Sequence, residues 1–173
     1  MKTFALCSPE QRRIVRRAAG VEPHLSPPVS LKTLAPKQIE GHEFIYLKLL
    51  GVQGVDCWFN EDEEPVIDAN LLSKVDLSGA VVFAAVCYLP ESPMLKALMK
   101  AGASYVIGGS GLNYYWPGKL TGVDLLGLYV RWMLERGISP KMALKIGKAR
   151  LKWARRDMVT RDTLAFKVWR GKI

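Results

Sequence analysis

The chain has 173 residues, 49% hydrophobic and 24% charged, and a formal net charge of +9. These proportions are typical of a globular domain, and no uncharged apolar run approaches the roughly 18 residues that cross a bilayer. The sequence therefore predicts one domain, residues 1–173, with a substantial core and no membrane span. Residues 1–6 are too short and too quickly polar for a signal peptide, so we expect a cytoplasmic protein.

Cysteine and histidine, two residue types that carry much enzyme chemistry, are few in this sequence. The three cysteines, Cys7, Cys57 and Cys87, are an odd number without close spacing, which indicates neither a disulfide framework nor a zinc site. The two histidines, His24 and His42, limit any chemistry that needs an imidazole. We therefore expect no metal and no cofactor. Asn and Gln are scarce, which is typical of a thermophilic source.

Hydrophobic periodicity and breaker residues predict the elements of the first half in chain order. They are a strand over residues 3–7, a helix capped by Ser8 and stopped at Gly20, a loop over 21–30, an ambiguous segment over 31–39, a strand over 43–50 that ends at Gly51, a hairpin of 55–59 with 65–67, and a short helix capped by Asp68 or Asn70.

Residues 80–111 are predicted to form the centre of the sheet. Their parts are an unbroken apolar run over 80–86, then Cys87, a helical pattern over 94–101, a second strand over 104–107 and the turn Gly108-Gly109-Ser110-Gly111. A run that is apolar at every position is typical of a strand buried on both faces. Strand, helix and strand form a βαβ unit, and such sheets bind ligands at the carboxyl ends of their strands. Cys87 and the glycine-rich turn are predicted to lie at that edge.

The C-terminal part is predicted to contain an aromatic loop over residues 112–118, a well-buried helix over 120–136, a helix over 139–156 and an edge strand over 164–169. The helix and tail over 139–173 are basic, and from residue 145 onward ten Lys or Arg stand against two Asp. Lys145, Lys148 and Lys152 recur at steps of three and four opposite an apolar stripe. We therefore expect this helix to pack by one face and to present a basic face to solvent.

The order of these parts resembles the caspase-like fold of clan CD cysteine peptidases, which includes caspases, gingipains, separases and CHAT domains. In that family a strand ends in a His-Gly pair, a hairpin and a helix follow, an apolar strand ends in the nucleophilic cysteine, and an AGAxxVIG strand comes next. The matching pieces here are residues 44–51, 55–67, 81–87 and 101–108, with 137–144 similar to the later GxSxxxAL piece. The resemblance covers residues 41–156. It implies a three-layer α/β sandwich with a mostly parallel central sheet flanked by helices.

The resemblance places Cys87 at the nucleophile and Gly51 at the glycine whose amide helps to bind the oxyanion. The residue before that glycine should be histidine, but it is Leu50, and a leucine cannot accept the proton of a thiol. His42 precedes the strand and is expected about 26 Å from Leu50, at the far end of the sheet. His24 lies in a loop and would reach Cys87 only if that loop folded over it. Without a partner, Cys87 is also typical of a buried structural cysteine.

Three further groups are candidates for binding. Tyr114, Tyr115 and Trp116 follow the same strand end, where they could wall a peptide groove or pack beneath a loop. The glycine-rich turn could hold an anion or a nucleotide, although it lacks the lysine of a P-loop. The basic helix could bind nucleic acid or an acidic partner, or could be a solvated face.

The sequence therefore predicts a caspase-like cysteine-peptidase domain, active or degenerate, that cuts or binds a peptide at the cleft around Cys87. Binding of nucleic acid or of an acidic partner through the basic helix is the alternative. The expected partner is a peptide or a protein, and no membrane partner is expected.

Overall fold

The computed structural model describes residues 1–113, 119–120, 122–154 and 161–171. Its strands are β1 (Thr3–Cys7), β2 (His24–Leu25), β3 (Phe44–Lys48), β4 (Leu50–Gly51), β5 (Cys57–Phe59), β6 (Pro65–Asp68), β7 (Val81–Ala84), β8 (Tyr105–Gly108) and β9 (Lys167–Arg170). Its helices are α1 (Arg12–Ala19), α2 (Pro36–Ile39), α3 (Ala69–Leu72), α4 (Met94–Lys100), α5 (Gly122–Leu134), α6 (Pro140–Ala154) and α7 (Arg161–Leu164). Across these ranges, the helices fall short of the length and apolarity that a bilayer crossing needs.

A central sheet of six strands organises the described part of the chain, in the order β2-β1-β3-β7-β8-β9. All neighbours are parallel except β9, which runs antiparallel to β8 at the edge. A second sheet is antiparallel and has the order β4-β5-β6. The parallel strands carry their carboxyl ends to one edge of the central sheet, which is where functional groups of such sheets lie.

Helices and the small sheet cover both faces of the central sheet. One face packs against α2, α3, α4 and the β5–β6 hairpin, and its strand residues include Phe4, Leu6, Ile45, Leu47, Val82 and Val106. The other face packs against α1, α5 and α6, and its strand residues include Ala5, Cys7, Phe44, Tyr46, Phe83 and Ile107. Successive residues of each strand alternate between the two clusters, as the period of two requires. The result is the three-layer arrangement that the sequence predicted.

Local signals in the sequence account for several element ends. Helix α1 ends at Gly20, which adopts a φ of 76° that costs a glycine little. Asp68 caps α3 by accepting a hydrogen bond from the backbone N–H of Leu71 at 2.6 Å. Within α5, Gly127 lets the helix approach the sheet, because a Cβ atom there would lie 2.6 Å from the Tyr46 ring.

Several predicted boundaries were wrong. The edge strand predicted over residues 164–169 begins only at Lys167, and Leu164 lies in α7. The strand predicted over residues 43–50 divides after Lys48, and Leu50–Gly51 joins the small sheet instead. The apolar run before Cys87 leaves the ladder after Ala84, so Cys87 follows the strand at a short distance. The loop predicted around His24 contains a two-residue edge strand, paired in parallel with β1. In the runs before Gly51 and Cys87 the apolar pattern continued past the last residue of the strand ladder, and periodicity does not report where strand pairing ends.

Candidate functional site

Cys87 and Gly51 are in direct backbone contact beyond the carboxyl ends of β3 and β7. A Cβ atom on residue 51 would overlap the carbonyl oxygen of Cys87 and would lie 3.2 Å from its carbonyl carbon. Strand β5 also holds Gly51 in place, because Gly51 pairs with Trp58 in the small sheet. Only a residue without a side chain fits here, so the two segments that the sequence singled out meet at one point.

Cys87 differs from the other two cysteines in exposure. Cys7 and Cys57 are buried, whereas Cys87 is partly exposed. Burial raises the pKa of the Cys7 thiol from 9.0 to about 12, and the nearby Lys48 ammonium opposes that rise only in part. Burial also raises the pKa of the Cys57 thiol. A reagent in solvent therefore meets Cys87 first, since the thiolate is the reactive form and needs access.

The backbone turns sharply after Cys87. Tyr88 adopts a φ of 54° and a ψ of 33°, in the left-handed region that bulky residues rarely occupy. Its N–H donates a hydrogen bond to the carbonyl of Gly111 at 3.0 Å, which ties this turn to the end of the glycine-rich turn. Such backbone strain is concentrated at functional sites, where the surrounding structure enforces it.

Asn113 closes one side of the thiol. Its backbone N–H donates to the Sγ atom of Cys87 at 3.2 Å, and its side-chain amide donates to the carbonyl of Val86. The other amide atom, Oδ1, is buried and has no hydrogen-bond partner among the described residues. An unpaired buried acceptor costs about 1–3 kcal/mol, so this loop is held beside Cys87 in an energetically demanding position.

Leu50 directly precedes the glycine that contacts Cys87. It has left the central sheet, whose strand β3 ends at Lys48, and it pairs with Phe59 of β5 in the small sheet. Leu50 is half-buried, and its side chain offers no atom that accepts a proton.

The two histidines lie elsewhere. The His42 ring is hydrogen-bonded through Nδ1 to the carbonyl of Ile39 at 2.9 Å. It precedes β3 at the amino edge of the central sheet, whereas Cys87 follows β7 at the carboxyl edge. The exposed His24 lies on β2, and its ring stacks on Phe4 with centroids 5.0 Å apart. Strand β2 is separated from β7 by β1 and β3, a lateral distance of about 14 Å. Neither imidazole adjoins the thiol.

A buried ion pair lies one strand away from the site. Lys48 Nζ donates to Asp124 Oδ2 at 2.9 Å, with the two side chains 4% and 3% exposed. The Tyr46 hydroxyl donates to the other carboxylate oxygen at 2.8 Å. Burial and the adjacent carboxylate raise the pKa of Tyr46. An ammonium held in this pair has no free lone pair, so Lys48 is not placed to deprotonate Cys87.

The glycine-rich turn is explained by packing. A Cβ atom on Gly108 would overlap the Leu89 side chain, and one on Gly109 would lie 2.6 Å from the Phe166 ring. The carbonyl of Gly111 already accepts the Tyr88 N–H. These contacts account for the small residues at this strand end, and no bound anion is needed to explain them.

The remaining predicted binding residues have different outcomes. Tyr114, Tyr115 and Trp116 lie outside the described residues. Lys145 and Lys152 are exposed on α6. Lys148 is half-buried, and its Nζ donates to the carbonyls of Leu164 at 2.6 Å and Phe166 at 2.5 Å. Burial lowers the pKa of Lys148, and the neighbouring Lys152 and Lys167 add to this. Lys148 therefore ties α6 to the C-terminal segment.

Sequence reasoning missed Lys48, Asp124 and Asn113. A signal was present for the first two, because a lysine ends an otherwise apolar strand and an aspartate lies in an otherwise apolar helix. Buried charges are paired, so each predicts a partner for the other. Asn113 carried no comparable signal, since its place beside Cys87 follows from the loop conformation.

The layers, the strand order and the small sheet beside the strand ends define the caspase-like α/β fold of the clan CD cysteine peptidases. Among solved structures, the crystal structure of gingipain R, described as an Arg-specific cysteine proteinase, matches with a TM-score of 0.58 and 13% sequence identity. The match covers 98% of this chain and 46% of that one, so the chain spans less than half the length of gingipain R. At this identity the likeness shows the fold alone. No protein-family model matches the sequence, and no curated protein matches it.

Proposed function

We propose that this chain is a caspase-like cysteine-peptidase domain of degenerate type, which binds an extended peptide segment at the strand ends around Cys87 without cutting it by a Cys–His dyad. The observation that carries the proposal is the contact of Gly51 with the Cys87 backbone, with Leu50 beside it. This contact brings together the two positions that the resemblance assigns to the nucleophile and to the oxyanion amide, and the residue before Gly51 is apolar.

The chemistry of the site supports binding over hydrolysis. Peptide hydrolysis by a thiol needs a base that removes the thiol proton and later protonates the leaving amine. Lys48 is paired with Asp124, His42 precedes β3 at the opposite edge of the sheet, and His24 lies on β2, which two strands separate from β7. Cys87 is partly exposed, so a ligand at these strand ends can contact it.

Peptide binding can be tested by blocking the site chemically. Peptides selected against the native protein from a displayed library would be measured for binding before and after treatment with a bulky maleimide. Cys7 and Cys57 are buried, so native modification is directed to Cys87. We expect modification to abolish binding in the wild type and to leave Cys87→Ala unaffected. Binding that survives complete modification of Cys87 would refute a peptide site at these strand ends.

The degenerate state needs a separate test. Hydrolysis of a fluorogenic peptide library would be compared between the wild type and Cys87→Ala, and we expect no difference between them. Release of fluorophore that is lost on substitution of Cys87 would establish an active peptidase and overturn this part of the proposal.

A second candidate function is binding of nucleic acid or of an acidic partner through α6. It is favoured by one observation, the absence of any acidic residue from a 15-residue helix that exposes lysines. Exposed Lys145 and Lys152 would neutralise negative charge on the partner, and binding would weaken steeply with salt. Indifference of binding to Lys145→Glu with Lys152→Glu would exclude this function.

A further inference from the structure

Helix α6 carries a second apolar face besides the one that packs on the protein. Its buried positions are Ala143, Leu144, Gly147 and Leu151, which contact the core beside α5. A different set, Met142, Ile146, Ala149 and Trp153, recurs at steps of four, three and four. We call this set the outer seam. That spacing is the heptad period by which one helix packs along another.

Three of the four residues of the outer seam are open to solvent. Trp153 is 87% exposed and Met142 is 46% exposed. Ala149 is exposed as well, whereas Ile146 is half-buried and packs against the core. Trp153 keeps a large apolar surface in water, and burying that surface against a partner would be favourable.

Positive charge borders the outer seam on both sides. Lys141, Lys145 and Lys152 are exposed along one border. Arg150 lies along the other, with its guanidinium 5.9 Å from the centre of the Tyr129 ring on α5. The helix has no acidic residue to offset these charges. A surface with an apolar centre and a basic border complements a surface with an apolar centre and an acidic border.

We propose that the outer seam docks an amphipathic helix of a partner protein, whose apolar stripe packs on Met142 and Trp153 and whose acidic flanks face Lys145 and Lys152. The heptad spacing supports a helix, since an extended nucleic acid has no use for an apolar row of that period. The charge argues against a second copy of this chain, because two such faces would bring lysines against lysines. This inference rests on the second candidate function and names its partner class.

The test uses a defined probe, a synthetic helical peptide of about three heptads with leucine at the core positions and glutamate at the flanking ones. A peptide with lysine at the flanking positions is its matched control. Binding to the full chain would be measured by fluorescence anisotropy at two salt concentrations. We expect the glutamate peptide to bind, with affinity that falls as salt rises, and the lysine peptide not to bind.

Two sets of variants separate the contributions. Lys145→Glu with Lys152→Glu, and Met142→Ala with Trp153→Ala, are each expected to weaken binding about tenfold or more, as loss of a central anchor does. Lys96→Glu, at an exposed position on α4 on the opposite side of the sheet, should leave binding unchanged. Circular dichroism and melting of each variant verify that α6 is still folded.

Several outcomes would overturn the inference. If binding depends on the lysines but not on Met142 and Trp153, the second candidate function stands and the helical partner does not. Tighter Trp153-dependent binding of oligothymidine or of phosphatidylserine vesicles than of the glutamate peptide would assign the face to those partners instead. Self-association of the wild type that Trp153→Ala abolishes would assign it to a second copy.

Discussion

Gly51 lies against the backbone of Cys87 so closely that a methyl group on residue 51 would overlap the Cys87 carbonyl oxygen. The two residues are 36 positions apart in the chain, Gly51 in the small sheet and Cys87 in the turn that follows β7. The contact joins the small antiparallel sheet to the strand end of the central one, and it places Cys87 against the residue that follows Leu50. It is the relationship on which the proposed site depends.

Substitution of Gly51 by alanine should therefore disturb Cys87 specifically. We expect Gly51→Ala to lower the free energy of unfolding by about 1–3 kcal/mol, the usual cost of overpacking, because backbone must move. Hydrogen exchange should also speed up at Tyr88. Gly137→Ala is the control. A Cβ there meets nothing within 4 Å, so its cost comes from the backbone φ of 74° and not from a contact with Cys87. Equal exchange at Tyr88 in the two variants would contradict the contact.

Breaking the Lys48–Asp124 pair should lower the free energy of unfolding strongly, whereas replacing both residues should lower it little. Removing one partner by Lys48→Met or Asp124→Leu leaves a buried group without its counter-charge, and we expect a loss of about 3–5 kcal/mol. Replacing both by Met and Leu should cost much less than the sum of the single changes. Urea unfolding of the four proteins forms a double-mutant cycle. Additive effects would show that the pair does not act as a unit.

Stability should fall at alkaline pH because of Cys7. Its folded thiol keeps its proton to about pH 12, whereas the unfolded thiol loses it from pH 9.0 upward. The stability contribution is thus fully present below pH 9.0 and is lost as the pH rises toward 12. The slope reaches at most about 1.4 kcal/mol per pH unit for one group. Cys7→Ala should flatten the urea midpoint against pH, and an unchanged slope would be inconsistent with this assignment.

Substitutions of Lys148 and Lys145 should differ in their effect on stability, although both residues belong to the same basic helix. Lys148→Met removes the donor to the carbonyls of Leu164 and Phe166, and we expect a loss of about 1–3 kcal/mol with faster hydrogen exchange near β9. Lys145→Met changes an exposed side chain and should stay within about 0.5 kcal/mol of the wild type. Similar effects of the two substitutions would contradict the tie between α6 and the C-terminal segment.

Much of this fold is predictable because its signals are local. The apolar run before Cys87 and the glycine after α1 need only neighbouring residues to be interpreted. The order of those pieces then led to the caspase-like topology. The spacing of lysines on α6 predicted the basic face but did not separate Lys148, because half-burial depends on a segment 16 residues further on.

What escaped prediction depends on contacts between distant residues. The Lys48–Asp124 hydrogen bond spans 76 positions, and the Asn113–Cys87 contact spans 26. The division of the strand after Lys48 follows from the end of its β1 neighbour at Cys7, which is its register partner. Hydrophobic periodicity predicts burial, whereas these features depend on which groups, distant in the sequence, become hydrogen-bond partners.

The most direct test of the central claim is the rate at which Cys87 reacts with iodoacetamide at about pH 6, compared between the wild type and Leu50→His. An imidazole at position 50 would stabilise the thiolate, so we predict that the variant reacts about tenfold faster or more, with the modification assigned to Cys87 by mass spectrometry. Equal rates in the two proteins would contradict the claim that Leu50 occupies the position of a missing base beside Cys87.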